Sequence, residues 1–152
     1  MSFLRHRGKT KLMYFQKDTT EQTRDGGLVT FNLDSGQVVR VGNDSDDRIL
    51  GVARRNDTLA DSALVPVEVP VENAVEWLID VDSAGGAVDS DIGAIVEVDT
   101  IGGNSVNAGD SAGMRVTLAD TAIGCVLITG IVSATRVRGV LVNTAWSHSF
   151  DT

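Results

Sequence analysis

Short stretches of alternating apolar and polar residues recur along the chain. In residues 28–33, for example, Val29, Phe31 and Leu33 share one face of an extended backbone. A period of two places successive side chains on opposite faces of a β-strand. The same pattern, bounded by turn residues, predicts further strands at 37–41, 48–53, 64–70, 75–81, 92–99 and 114–118. No stretch has the apolar spacing of a helix of ordinary length, although residues 71–79 leave a short helix open.

The stretch 122–142 is rich in β-branched residues and contains neither proline nor an acidic side chain. Arg136 and Arg138 interrupt it, so its apolar run is too short to cross a membrane. We interpret it as two buried strands joined by a small-residue turn. Gly124 and Gly139 are expected to allow close strand packing or a bulge.

Two prolines distinguish the strand predicted at 64–70. Pro66 and Pro70 cannot donate a backbone hydrogen bond, so this strand is expected at a sheet edge or at a bulge. Together the elements predict an all-β fold, a small β-barrel or sandwich of short antiparallel strands. Its body is expected to span residues 27–152.

Charge is unevenly distributed over the chain. Residues 1–24 carry six basic and two acidic residues, a net charge of +4, whereas the remainder carries seven basic and 19 acidic residues, a net charge of −12, which together give −8. Residues 1–26 also lack a sustained hydrophobic period, so they predict an extended basic N-terminal arm. We expect the arm to lie on a neighbouring subunit and to be dispensable for folding of the body. Its candidate assembly contacts are Arg5, Arg7, Lys9, Lys11, Tyr14 and Phe15.

The residues that could carry chemistry are few. Cys125 is the single cysteine and stands among apolar neighbours, so we interpret it as a buried, inert thiol. Trp77 and Trp146 are interpreted as core or interface anchors rather than as ligand platforms. The chain contains no phosphate-binding glycine loop, no nucleophile elbow and no zinc-type ligand spacing. We therefore expect neither an enzyme nor a cofactor.

Two acidic clusters leave a cation site open. One comprises Asp44, Asp46 and Asp47, and the other comprises Asp80, Asp82, Asp89 and Asp91. Calcium binds several carboxylate oxygens on a loop, but neither cluster has the EF-hand spacing. Solvated turn carboxylates are the favoured interpretation, and a metal site at Asp80, Asp82, Asp89 and Asp91 is the alternative.

Nucleic acid and membranes are disfavoured as partners. The basic arm could contact phosphates, but its aromatic residues are not interleaved with the basic ones and the body is acidic. Neither a signal peptide nor a transmembrane helix is predicted. Docking of the arm on an acidic protein surface is the favoured interpretation.

A resemblance to a known family rests on three runs in the second half of the chain. The run 91–99, then a Gly/Asn loop, then 121–126 and finally 137–142 resembles the small β-barrel capsid decoration (cement) proteins of tailed bacteriophages. The runs 36–41, 49–53 and 65–69 are similar in style. The resemblance covers residues 27–142, and it does not extend to the arm or to the insertion around 71–90.

The resemblance implies a structural virion protein on the capsid surface, made in the host cytoplasm. Its partners would be the major capsid protein and copies of itself, as a homotrimer, and it would stabilise the head without catalytic residues or cofactors. A phage tail-tube or head–tail connector subunit is one alternative function. A small calcium- or sugar-binding β-module is another.

Overall fold

The computed structural model describes residues 3–18, 23–32, 34–41, 48–56, 64–72, 74–81, 85–99, 115–118, 124–142 and 144. Within these ranges the chain forms eleven strands and one turn of 3₁₀-helix, at Asp89–Asp91. The strands are β1 (Phe3–Arg7), β2 (Thr10–Gln16), β3 (Leu28–Phe31), β4 (Val38–Arg40), β5 (Gly51–Ala53), β6 (Leu64–Pro70), β7 (Glu76–Asp80), β8 (Ile95–Asp99), β9 (Arg115–Thr117), β10 (Val126–Ser133) and β11 (Arg136–Leu141).

The strands form two antiparallel sheets. The six-stranded sheet has the order β1-β7-β11-β10-β8-β9, and the five-stranded sheet has the order β2-β6-β5-β3-β4. Neither sheet closes into a barrel over the described residues. Of the two predicted architectures, barrel and sandwich, the structure is therefore consistent with the sandwich. The all-β prediction is confirmed, and the short helix left open at 71–79 is replaced there by β7 and its preceding turn.

The proline-containing strand β6 is not at an edge, contrary to the sequence prediction. It lies between β2 and β5. The carbonyl of Pro66 accepts a hydrogen bond from the Arg54 N–H, on the β5 side of the strand. Because N and O of one residue point to the same side of a strand, the missing proline donor removes nothing from the pairing with β2. On the β5 side, pairing involves only Val67 and Glu68, which lie between the two prolines.

The main core lies between the two sheets. Trp77 and Ile79 of β7 are fully buried there, with Leu28 and Val52 contributed by the five-stranded sheet. The predicted burial of the 122–142 stretch is confirmed for the side chains that line this core from β10 and β11, namely Val126, Ile128, Val137 and Leu141.

Glycine permits close packing inside the β10–β11 hairpin. A Cβ at Gly139 would lie 2.8 Å from Cγ1 of Val126, and one at Gly124 would collide with Ile95. Both contacts are closer than side chains tolerate, so the role predicted for the two glycines is confirmed.

A second core occupies the other face of the five-stranded sheet. Val29, Val65 and Val67 are buried there, and Met13 and Phe15 pack against them. A parallel bridge between Lys17 and Val38 joins the two edge strands at one point, so the sheet curls around this cluster.

The N-terminal segment is extended, as predicted, but it is built into both sheets of its own chain. β1 pairs with β7 in one sheet, and β2 pairs with β6 in the other. Residues 3–16, called here the edge segment, therefore form with residues 64–80 a bent antiparallel ribbon that runs through both sheets. The expectation that the arm is dispensable for folding is wrong, because Phe3 is fully buried in the main core.

The ribbon bends where it passes from one sheet to the other. Gly8 has φ +105°, and a Cβ there would lie 2.8 Å from Cα of Val75. Hydrogen bonds continue through the bend, from the Val71 N–H to the Lys9 carbonyl (3.1 Å) and from the Lys9 N–H to Glu72 Oε1 (2.7 Å). Only a residue without a side chain fits this corner.

An ion network closes the space between the sheets beside the ribbon. Nε of Arg54 lies 2.7 Å from Glu68 Oε2, and Nε of Arg5 lies 3.2 Å from Glu68 Oε1. Arg54 also donates to the carbonyl of Phe3 (2.8 Å), and its guanidinium lies 5.8 Å from the Trp77 ring centroid. The network thus joins β6 to β1 and β7 across the sandwich.

Phe3→Ala is expected to destabilise the protein by about 3–5 kcal/mol, because it removes a fully buried aromatic side chain from the main core. Leu4→Ala is the matched control, since Leu4 is the next residue and is exposed on the opposite face of β1. Urea denaturation measures both changes. Equal small effects for the two variants would contradict the assignment of β1 to the core.

Glu68→Leu is expected to cost about 3 kcal/mol, because it leaves the largely buried Arg54 guanidinium with only the partly exposed carboxylate of Asp25, whose Oδ1 lies 3.5 Å from Nη1. Arg54→Met with Glu68→Leu should recover much of that loss, because the double variant leaves no unpaired buried charge. A double-mutant cycle of unfolding free energies measures the coupling. Additive losses would show that the pair acts independently.

Candidate assembly surface

Two of the six predicted contact residues serve the fold itself. Arg5 turns towards Glu68 and joins the ion network. Phe15 packs edge-on against Phe31, with 5.5 Å between ring centroids, beside the second core. The Arg5 side chain remains 48% exposed, whereas Phe15 is partly buried.

The other four predicted contacts point outwards along the edge segment. The Arg7 side chain is 73% exposed, and Tyr14 is 61% exposed. Lys9 and Lys11 are also exposed. The structure therefore brings these four together along the shared edge of both sheets.

Exposed apolar side chains lie on the same segment and on the paired strand β6, and none of these apolar residues was among the predicted contacts. Leu12 is 51% exposed and Leu64 is 58% exposed, and register pairing places them with Tyr14 on one face of the β2–β6 pair. Leu4 is exposed on β1. The sequence pattern that could have indicated them is the alternation of Leu12 and Tyr14 with Lys11 and Met13, because this alternation places Leu12 and Tyr14 on one face of a strand. We call the following residues the assembly surface: Leu4, Arg7, Lys9, Lys11, Leu12, Tyr14 and Leu64.

A buried carboxylate anchors the β1 end of this surface. Oε1 of Glu76 lies 3.6 Å from Nη2 of Arg7, 3.7 Å from Nε2 of His6 and 4.0 Å from Nη1 of Arg138. Its other oxygen accepts a hydrogen bond from the Thr129 hydroxyl (2.7 Å). One carboxylate thus faces two guanidinium groups and an imidazole, so the local charge is positive and available to an acidic partner.

Two of the four acidic residues of the candidate cation site, Asp80 and Asp91, have partners within the protein. Asp80 accepts from Nη2 of Arg136 (3.0 Å), and Oδ2 of Asp91 accepts from the Val88 N–H (2.8 Å). Asp89 is exposed. Among the described residues no group of three or more His, Cys, Asp or Glu side chains could hold a metal ion. The fourth candidate lies outside the described residues, as does the other cluster: Asp82, and Asp44, Asp46 and Asp47.

The predicted buried positions of Cys125 and Trp77 are confirmed. Cys125 is 3% exposed, and burial, the largest cause, raises the pKa of its thiol to about 11. A thiol with such a pKa has almost no nucleophilic thiolate at neutral pH. Trp77 is fully buried in the main core, and Trp146 lies outside the described residues.

The protein should lose stability as the pH rises from about 9 to about 11, because the thiol ionises earlier in the unfolded chain than in the buried site. Cys125→Ala is expected to flatten this part of the pH–stability curve after correction for its own packing cost. Urea midpoints across this pH range measure the difference. An unchanged slope in the variant would contradict the assignment to Cys125.

Comparisons with protein-family models, curated proteins and solved structures found no match to this chain. No helix in the described part of the chain is long and apolar enough to cross a membrane. The function proposed next therefore rests on the assembly surface and on the sequence resemblance.

Proposed function

We propose that the protein is a structural virion subunit that decorates and cements a phage capsid. One observation carries the proposal: the edge segment of a chain whose net charge is −8 exposes apolar side chains on one face of β2 and lysines on and beside the other. Contiguous exposed apolar residues beside charged ones are typical of protein interaction sites. The resemblance adds the capsid as the partner.

The chemistry of the surface favours an acidic protein partner. Leu12, Tyr14 and Leu64 supply apolar area whose burial on docking contributes about 25 cal/mol per Å² before the costs of association. Arg7 and Lys11 supply positive charge that steers and orients a negatively charged surface. Copies of the protein, as the homotrimer implied by the resemblance, would then sit on major capsid subunits.

The position of the surface suits a cementing role. A partner attached to the edge segment pulls on β1 and β2 together, and these strands are hydrogen-bonded to β7 and β6 in different sheets. Load applied there is therefore shared by both sheets. A free arm would instead transmit force through one covalent connection.

Lys11→Glu is expected to weaken attachment to capsids by about tenfold or more and to lower the temperature at which decorated particles open, because it reverses a charge within the surface. Arg48→Glu is the matched control, since it makes the same charge change at an exposed residue outside the edge segment. Co-sedimentation with undecorated capsids and a particle melting assay measure the two effects.

Two outcomes would contradict the proposal. Wild-type protein that neither binds capsids nor changes their heat resistance would exclude decoration. Spontaneous assembly of the purified protein into rings or tubes would favour the tail-tube or connector function instead.

A further inference from the structure

Among the residues that the structure describes, none pairs with the outer hydrogen-bonding edge of strand β2 over residues 10–14. This strand is the last strand of the five-stranded sheet and pairs only with β6 among the described strands. Pro66 turns its backbone towards β5, because its carbonyl accepts the Arg54 N–H there. Its register partner Tyr14 therefore turns its own N–H and C=O away from β6. By the period of two, Leu12 and Thr10 present their backbone groups to the same open side.

The open part of this edge has a defined length. At its far end the Asp18 N–H donates to the Val38 carbonyl (3.0 Å), so β4 reaches the edge there. Residues 10–14 lie before that contact. This length is sufficient to pair with a short extended segment.

Side chains beside the open edge define what such a segment must carry. Leu12 and Tyr14 are exposed on one face of β2. Lys11, on the opposite face, is exposed, and Lys9 precedes the strand. A complementary strand would therefore place apolar side chains on the Leu12 face and carboxylates on the Lys11 face.

Charge argues against a second copy of β2 as the occupant. Residues 3–16 contain four basic residues and no acidic residue. Antiparallel pairing of two copies of β2 would bring two Lys11 side chains to one interface, with a Lys9 preceding each strand, and like charges across strands are destabilising. With an acidic strand, the same lysines would instead form favourable charge pairs.

We propose that the open edge of β2 binds an extended acidic segment of a partner protein as an additional antiparallel or parallel strand. This inference rests on the proposed function, which it deepens by naming the chemistry of the partner segment. Backbone hydrogen bonds supply affinity in this mode of recognition, and alternate side chains supply specificity. The segment alternates apolar and acidic residues.

A synthetic probe tests the proposal with purified full-length protein. The probe is a fluorescent peptide, blocked at both termini, of about the length of β2, in which valine alternates with glutamate. Fluorescence anisotropy is expected to show saturable binding that weakens as salt rises. Replacing every glutamate by lysine, or methylating alternate backbone nitrogens of the probe, is expected to weaken binding by about tenfold or more.

A proline substitution in β2 tests the edge from the protein side. Leu12→Pro removes an outward N–H while sparing the bonds to β6, so it is expected to abolish probe binding with little change in melting temperature. Leu12→Ala retains the N–H and is expected to weaken binding only several-fold. If Leu12→Pro fails to fold, the comparison of methylated and unmethylated probes on wild-type protein decides the same question.

Several results would overturn the inference. Equal binding of the glutamate and lysine probes would do so, as would full binding by a folded Leu12→Pro variant. Probe binding that does not change on backbone methylation, or association of the protein with itself through β2, would do the same. Absence of probe binding with intact capsid attachment would overturn strand addition and leave the proposed function standing. Probe binding without capsid attachment would leave strand addition standing and contradict the function.

Discussion

The antiparallel ribbon formed by residues 3–16 and 64–80 is the constraint on which the rest of this structure depends. Among the described strands, it is the backbone pairing that continues from one sheet into the other. The Arg54–Glu68 pair lies beside it and binds the sheets where backbone pairing changes from one to the other. Because the ribbon is hydrogen-bonded on both sides of its bend, the backbone that carries the outer side chains is held at a defined position. A surface held in this way loses little conformational freedom when it docks, which favours affinity.

The edge segment combines two roles that are usually separate. Phe3 is buried in the main core and Arg5 pairs with Glu68, whereas Leu12 and Tyr14 are exposed on a strand whose outer edge has no partner among the described residues. Exposed apolar edge strands invite aggregation, and lysine is a common protection. Lys11 here would repel another copy of the same edge and attract an acidic strand, so one charge both prevents the wrong pairing and selects the right one.

The strands were predictable because their signal is local. Period-two alternation and the β-branched stretch 122–142 indicated an all-β fold and a buried Cys125, and both are found. The two predictions that differ from the structure concern strands whose pairing partners are distant in the sequence. The strand with Pro66 was predicted at an edge or a bulge, but it lies inside the sheet, and which neighbour the proline backbone faces depends on the pairing of the strands. Residues 1–26 were predicted to be an extended arm on a neighbouring subunit because the strands with which residues 3–16 pair, β7 and β6, are distant in the sequence.

The sequence by itself determined the class of fold, the burial of its aliphatic strands and the unequal distribution of charge. Each of these follows from composition or from spacing within a few residues. Only the tertiary structure decided which carboxylates the basic segment meets, since Arg5 pairs with Glu68 and Arg7 lies beside Glu76. It also decided that β2 keeps an open edge. Both depend on the register between segments about sixty residues apart, which no local pattern encodes.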